Sequence, residues 1–139
     1  MDIVLLIFQS VKSGLPFLIS HFAISIIIFL VGLWAYVKIT PINEMKLIKD
    51  GNIAASISFF GACVGISIPL STCLASSVNV ADILVWGTIA VLLQLICFRG
   101  VDIFLKDLSQ RISEGEISIS IVLVSFKISI ALLNAAAIS

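Results

Sequence analysis

Few of the 139 residues in this chain have side chains that could do chemistry, and Lys127 stands out among them. It is the only formal charge after Glu116. Counting about 1.5 Å per residue from Ile117 puts it near the middle of a bilayer. A charge there costs about 2.5–3.5 kcal/mol on insertion scales, so such residues turn towards a protein interior or a water-filled cavity. On a helix, its face continues through Ser120, Ala131 and Asn134, and Gln94 lies at matching depth in another apolar run. Gln94 is therefore the first candidate partner, and Lys127, Gln94, Asn134 and Ser120 form a candidate intramembrane polar cluster. Two readings stay open: a polar pathway, or a paired structural lysine or subunit contact. A lysine with no intramembrane carboxylate is a poor proton relay, which favours the structural reading.

The other reactive residues are sparse. His21 has no second His, Cys or carboxylate at ligand spacing, so no metal site is expected. Cys63, Cys73 and Cys97 match neither a metal site nor a CxxC redox pair and read as small apolar residues. Arg99 and Asp102, three apart, read as an interfacial pair or as snorkelling side chains. There is no nucleophile–base pair, glycine-rich phosphate loop or carboxylate dyad. The expectation is no enzyme and no cofactor.

The elements that must position these residues follow from composition. Apolar residues make up 60% of the chain and charged residues 12%, against about 45–50% and about 25% in soluble domains. A chain this small cannot hide that excess in a globule. Eight Lys+Arg balance eight Asp+Glu, leaving no electrostatic footprint for nucleic acid. Charge is absent from Pro16–Val37 and from Gly51–Ala81. A helix needs about 20 mainly apolar residues to cross the hydrocarbon, and four such spans are read near 17–37, 52–72, 83–104 and 117–137. Barrel strands would alternate apolar and polar residues, which Ala23–Val37 does not. The fold class is thus all-α integral membrane, with residues 1–139 as a single membrane domain. Residues 1–16 read as an interfacial helix leading into the first span rather than a signal peptide, because a basic start is missing.

Basic residues set the expected orientation. Lys38, Lys46 and Lys49 lie between spans one and two; Arg99, Lys106 and Arg111 lie at or after the end of span three. Six of eight basic residues thus fall on one side. The two connectors are expected in the cytoplasm, with both termini and the middle turn outside.

Placing Gly51 over Gly115 aligns Leu47–Ile57 with Arg111–Ile121, sharing Ile, one residue, acid, Gly, polar, Ile, small, any, Ser, Ile. The four helices therefore read as two tandem parallel two-helix repeats, about 17–72 and about 83–137. Pro41 ends the first helix. Glu44–Asp50 then reads as an amphipathic stretch, with Met45 and Ile48 towards headgroups and Glu44, Lys46 and Lys49 towards water. The connector corners Asp50, Gly51, Glu114 and Gly115 combine a bend-permitting glycine with an acid favoured by the next helix dipole; binding of a partner or ion is the alternative. In span two, Ala54, Ser58, Gly61 and Gly65 form a small-residue stripe containing a GxxxG, which allows close helix packing within the chain or between copies. Pro69 is expected to kink that helix, with Ser67, Ser71 or a neighbouring helix compensating the freed carbonyl. Trp34, Tyr36 and Trp86 read as interface anchors.

The run Pro41–Ala55, then Gly61, Gly65, Pro69–Leu70, Trp86–Gly87, Gln94 and Leu132–Ala136, resembles the YjfL-type family of bacterial inner-membrane proteins, a domain of unknown function. The resemblance implies four spans and an inner-membrane location. It also implies a role in an envelope assembly, because such proteins are often encoded beside phage-shock-type membrane-stress proteins. Glu116, where Asn is usual, and Lys127 depart from the pattern. The expected function is a structural or partner-recruiting membrane component in contact with the lipid bilayer, as a homo-oligomer or with other membrane proteins. The alternative is a minimal channel or transporter with a polar path near Lys127 and Gln94.

Overall fold

Inside hydrocarbon every backbone polar group must be satisfied within its own segment, which leaves helices as the solution for apolar runs rich in Ile and Val. The computed structural model describes residues 2–139, and these are helical, with no strand among the described residues. Helix α1 spans Asp2–Ile39, α2 Glu44–Lys49 and α3 Ile53–Ser76. A third rod runs Val80–Phe104 as α4 (Val80–Asp82), a π-helical turn (Ile83–Gly87) and α5 (Thr88–Phe104). Helix α6 covers Lys106–Ser113 and α7 covers Ile117–Ile138. Four of these rods are long and apolar enough to cross a membrane.

Helices α3 and α7 make the most extensive contact in the bundle, and small side chains on α3 allow it while also admitting Phe98 of α5. A Cβ added at Gly61 would lie 2.8 Å from Val124, and one at Gly65 would lie 2.6 Å from the Phe98 ring. Ala54, Ser58, Gly61, Gly65 and Pro69 are all buried, so the stripe is used within the chain. Helices α1 and α5 flank this pair and close a core around Ile28, Tyr36, Ile66, Val91 and Phe98. A second apolar cluster ties the connectors together. There Ala54, Ala55 and Leu123 meet Leu108 and Ile112 of α6, with Leu47 and Ile48 of α2 packed alongside.

Several expectations change. Residues 2–16 do not form a separate helix, because α1 runs unbroken through Gly14 and Pro16. Pro16 removes a single backbone bond, and nothing lies within 4 Å of a Cβ built at Gly14 to pull the chain aside; Met1 lies outside the described residues. Helix α3 likewise continues through Pro69 to Ser76. The Ser67 and Ser71 hydroxyls donate to the carbonyls of Val64 and Ile68, not to that of Gly65, which the proline leaves without its helical donor. Met45, Leu47 and Ile48 are half-buried, and Leu47 and Ile48 lean on the connector core. Asp50 and Glu114 close α2 and α6 as their C-caps, whereas Asn52 and Glu116 occupy the N-caps of α3 and α7.

Candidate functional site

The buried charge of α7 is built from its helix geometry. Side chains on an α-helix lean towards its N-terminus, and the N-terminus of α7 lies at the connector end. Lys127 therefore reaches back towards the connectors. Its Nζ donates to the Tyr36 hydroxyl at 2.7 Å, to the Ser58 carbonyl at 3.1 Å and to the Ser58 hydroxyl at 3.1 Å. Ser58 is the sixth residue of α3, so the ammonium sits about 7.5 Å into the bundle, not at the mid-membrane depth of the Lys127 backbone. The Tyr36 and Phe98 rings flank it, with centroids 4.7 Å and 5.5 Å from Nζ. The side chain is 1% exposed.

The carboxylate that answers this lysine comes from the connector. Glu44, expected to face water, is 2% exposed. Its Oε1 accepts from the Tyr36 hydroxyl at 3.0 Å and from the Ser58 hydroxyl at 2.6 Å. Each hydroxyl thus accepts from the ammonium and donates to the carboxylate, giving two parallel one-hydroxyl bridges between opposite charges. Asn43 caps α2 through its Oδ1, which accepts from Lys46 N at 3.0 Å, and this turn delivers Glu44 inward. Oε2 of Glu44 has no partner among the described residues. Tyr36 is therefore part of the buried site and not an interface anchor, whereas Trp34 (64% exposed) and Trp86 face outward.

Gln94 meets Lys127 at its backbone rather than its ammonium. Its Nε2 donates to the Lys127 carbonyl at 3.3 Å, and its Oε1 accepts from Asn134 Nδ2 at 3.1 Å. Asn134 Nδ2 also donates to the Ala90 carbonyl at 3.0 Å, leaving its Oδ1 without a partner among the described residues. Ser120 is buried but donates to Ile117 of its own helix and does not join the Lys127 group. The expected cluster thus resolves into two linked units, Glu44–Tyr36–Ser58–Lys127 and Gln94–Asn134, with Ser120 outside both. Glu44 and Tyr36 are members that sequence reasoning missed, and Ser58, read there only as a helix-packing residue, is a third. One turn beyond Asn134, a cleft of about 450 Å³ opens at the end opposite the connectors, lined by Ser76, Ser77, Asp82, Trp86 and Ile138 among others.

The remaining candidates stay apart from this site. Nδ1 of His21 lies 2.9 Å from the Phe17 carbonyl, and its ring packs on Phe17. Among the described residues no three His, Cys, Asp or Glu side chains gather to hold a metal. The one ion pair among the described residues joins Arg111 to Glu116, so Arg99 and Asp102 do not pair directly. That contact lowers the Glu116 carboxyl below the usual carboxylate range and raises the Arg111 guanidinium. Asn52, the counterpart of Glu116, instead donates from Nδ2 to the carbonyls of Ile112 at 3.0 Å and Ser113 at 3.2 Å, capping the end of α6.

Residues 10–138 match the family described as Domain of Unknown Function (DUF350). The chain is 41% identical over 93 residues to the UPF0719 inner membrane protein YjfL of Escherichia coli (strain K12), a match covering 67% of this chain and 70% of that protein. The protein of the same name from Escherichia coli O157:H7 matches to the same extent. No solved structure matches the chain.

Proposed function

The chain belongs to the DUF350 family, and from that premise we propose that this multi-pass inner-membrane protein works as a scaffold that presents its connectors to partners. The observation that carries this reading is the fusion of two connectors, distant in sequence, into one platform. Asn52 bridges from the first corner to the Ile112 and Ser113 carbonyls of the second. Leu47, Ile48, Leu108 and Ile112 share one core, and Glu44 pins α2 to the bundle from inside. Exposed charges are left facing outward, among them Lys49, Asp107 and Arg111.

The finer parts of the reading have their own support. The basic connectors favour a cytoplasmic platform, with both termini outside. Tandem two-helix repeats are supported by matching corners, where Gly51 at φ 85° and Gly115 at φ 86° take the same left-handed turn. Assembly with itself or with membrane-stress partners fits a bundle whose apolar flanks are broadly exposed. A photo-crosslinker placed at Lys49 or Arg111 should give adducts of defined mass in intact membranes. Reversing the charge of Lys46 and Lys106 together should abolish them while the bundle stays folded. Crosslinking and native mass measurement in mild detergent that return only a monomer would overturn the scaffold.

A second reading, a minimal transporter, is favoured by one observation. The polar set from Glu44 through Lys127 and Gln94 to Asn134 ends one helical turn short of the cleft at the opposite end.

A further inference from the structure

We propose that Lys127 is the moving carrier of a proton path, loaded by Glu44 at the connector end and unloaded towards the opposite cleft. This rests on the transporter reading and names its substrate as the proton. The packing selects that ion. Beside the lysine the Phe98 ring packs directly on Gly65, 2.6 Å from where a Cβ would stand, and the Lys127 carbonyl lies 3.5 Å from the same point. Packing of this kind favours a proton over a hydrated ion or solute, because a proton needs only hydroxyl groups and the movement of one amine.

Two buried acceptors without partners among the described residues bracket the lysine: Glu44 Oε2 on the connector side and Asn134 Oδ1 on the other. The Lys127 backbone sits between them, with its carbonyl held by Gln94. Rotation of the flexible side chain therefore exchanges Tyr36 and Ser58 for Gln94 Oε1 and Asn134 Oδ1 as acceptors. From there the cleft lined by Trp86, Ala137 and Ile138 lies one helical turn further on. Next to it, the π-helical turn Ile83–Gly87 is of a kind frequent at functional sites.

The step balances. A protonated Glu44 gives its proton to the Tyr36 or Ser58 hydroxyl oxygen as that hydroxyl passes its own proton to a neutral Lys127 amine. This leaves a carboxylate and an ammonium, the arrangement compatible with the observed hydrogen bonds. The ammonium swings to Asn134 Oδ1, gives its proton to water drawn in from the cleft and returns neutral, and Glu44 Oε2 takes a proton from water admitted at the connector end. One proton crosses per cycle and no residue keeps a charge. The titratable and charged groups around the carrier are Tyr36 on α1, Glu44 on α2, Cys63 on α3, and Asp102 with Arg99 beside it on α5.

The test is proton flux into liposomes holding the purified full chain, read by an internal pH dye under a valinomycin-set potential. Sodium, potassium and glycerol permeation are measured on the same proteoliposomes without valinomycin, against empty liposomes. Wild-type chain and Lys12→Gln should conduct protons, while Lys127→Met and Glu44→Gln should fall to the rate of empty liposomes. Lys127→Arg is the decisive variant, because it keeps the positive charge but cannot give up its proton; it should also lose flux while eluting as a folded protein. Flux retained in Lys127→Arg overturns the carrier. Wild-type permeation by another ion or glycerol without protons overturns the proton assignment and leaves the transporter reading standing. No permeation of any kind overturns both.

Discussion

The two connector corners share a backbone and differ in what their side chains do with charge. At the first, Gly51 N–H donates to Ile48 O and Asn52 N–H to Leu47 O; at the second, Gly115 N–H donates to Ile112 O and Glu116 N–H to Arg111 O. This is the same glycine-terminated helix end twice, with matching positive φ. Yet the first connector sends its acid, Glu44, inside to face Lys127. The second buries Leu108 at the equivalent register and keeps its ion pair, Arg111–Glu116, in solvent. The backbone turn is thus a fixed part. Both connectors pack apolar residues into one core, and one residue in the first turn decides whether buried charge is added to that packing.

The sharpest way to break that contrast is to remove one buried charge. Lys127→Leu should destabilise the bundle by about 3–5 kcal/mol, because it leaves an uncompensated carboxylate. Glu44→Leu should cost a similar amount by stranding the ammonium. The double variant should recover most of the loss, since two apolar residues can replace a buried pair at little net cost. Reversible unfolding in mixed micelles measures all three. Simple additivity of the two single effects would show that Glu44 and Lys127 do not act as a pair.

The spans were legible because a twenty-residue apolar run admits one structure in lipid, and three of the four observed helices match their expected limits closely. At the corners only the bend was legible, from a glycine set before an apolar run; Asp50 and Glu114, read as acids at the start of the next helix, instead end the helix before it. The site was legible only in part. Lys127 stands out as a charge among apolar residues, but spacing alone points to a partner at the depth of its backbone. The ammonium lies a side-chain length away, towards the N-terminus of its own helix. Applying that lean to the sequence points to the connector end, where six of the eight acids lie, Glu44 among them. Periodicity concealed Glu44, because in so short a helix a polar residue reads as solvent-facing wherever it points.

A smaller effect should separate the shared from the private parts of the corners. Gly51→Ala and Gly115→Ala each force an L-residue into the left-handed region, at about 1–2 kcal/mol, and the two losses should be nearly equal. Asn52→Ala removes both the α3 cap and the bridge to α6, so it should cost about 1–2 kcal/mol. It should also loosen the second connector, read as faster amide exchange at Ser113 and Glu114. Unequal glycine effects would mean that the matching φ values hide different strain.

The smallest effect belongs to Glu116, and its direction is fixed by its pairing. Arg111 Nε donates to Glu116 Oε2 at 2.6 Å and holds the carboxyl below its ordinary range. Its contribution is therefore present in full above the unfolded carboxylate value and fades as pH falls through the lowered folded value. Both side chains are solvent-exposed, so salt should screen the pair. Glu116→Gln should lower stability at neutral pH only slightly, and flatten the acid limb of the pH–stability curve by the same small amount, so that the two proteins converge at acid pH. A loss at neutral pH matching that of Asn52→Ala would make the solvent-facing corner as important as the bridging one. The contrast between a connector with buried charge added and one held by packing alone would then fail.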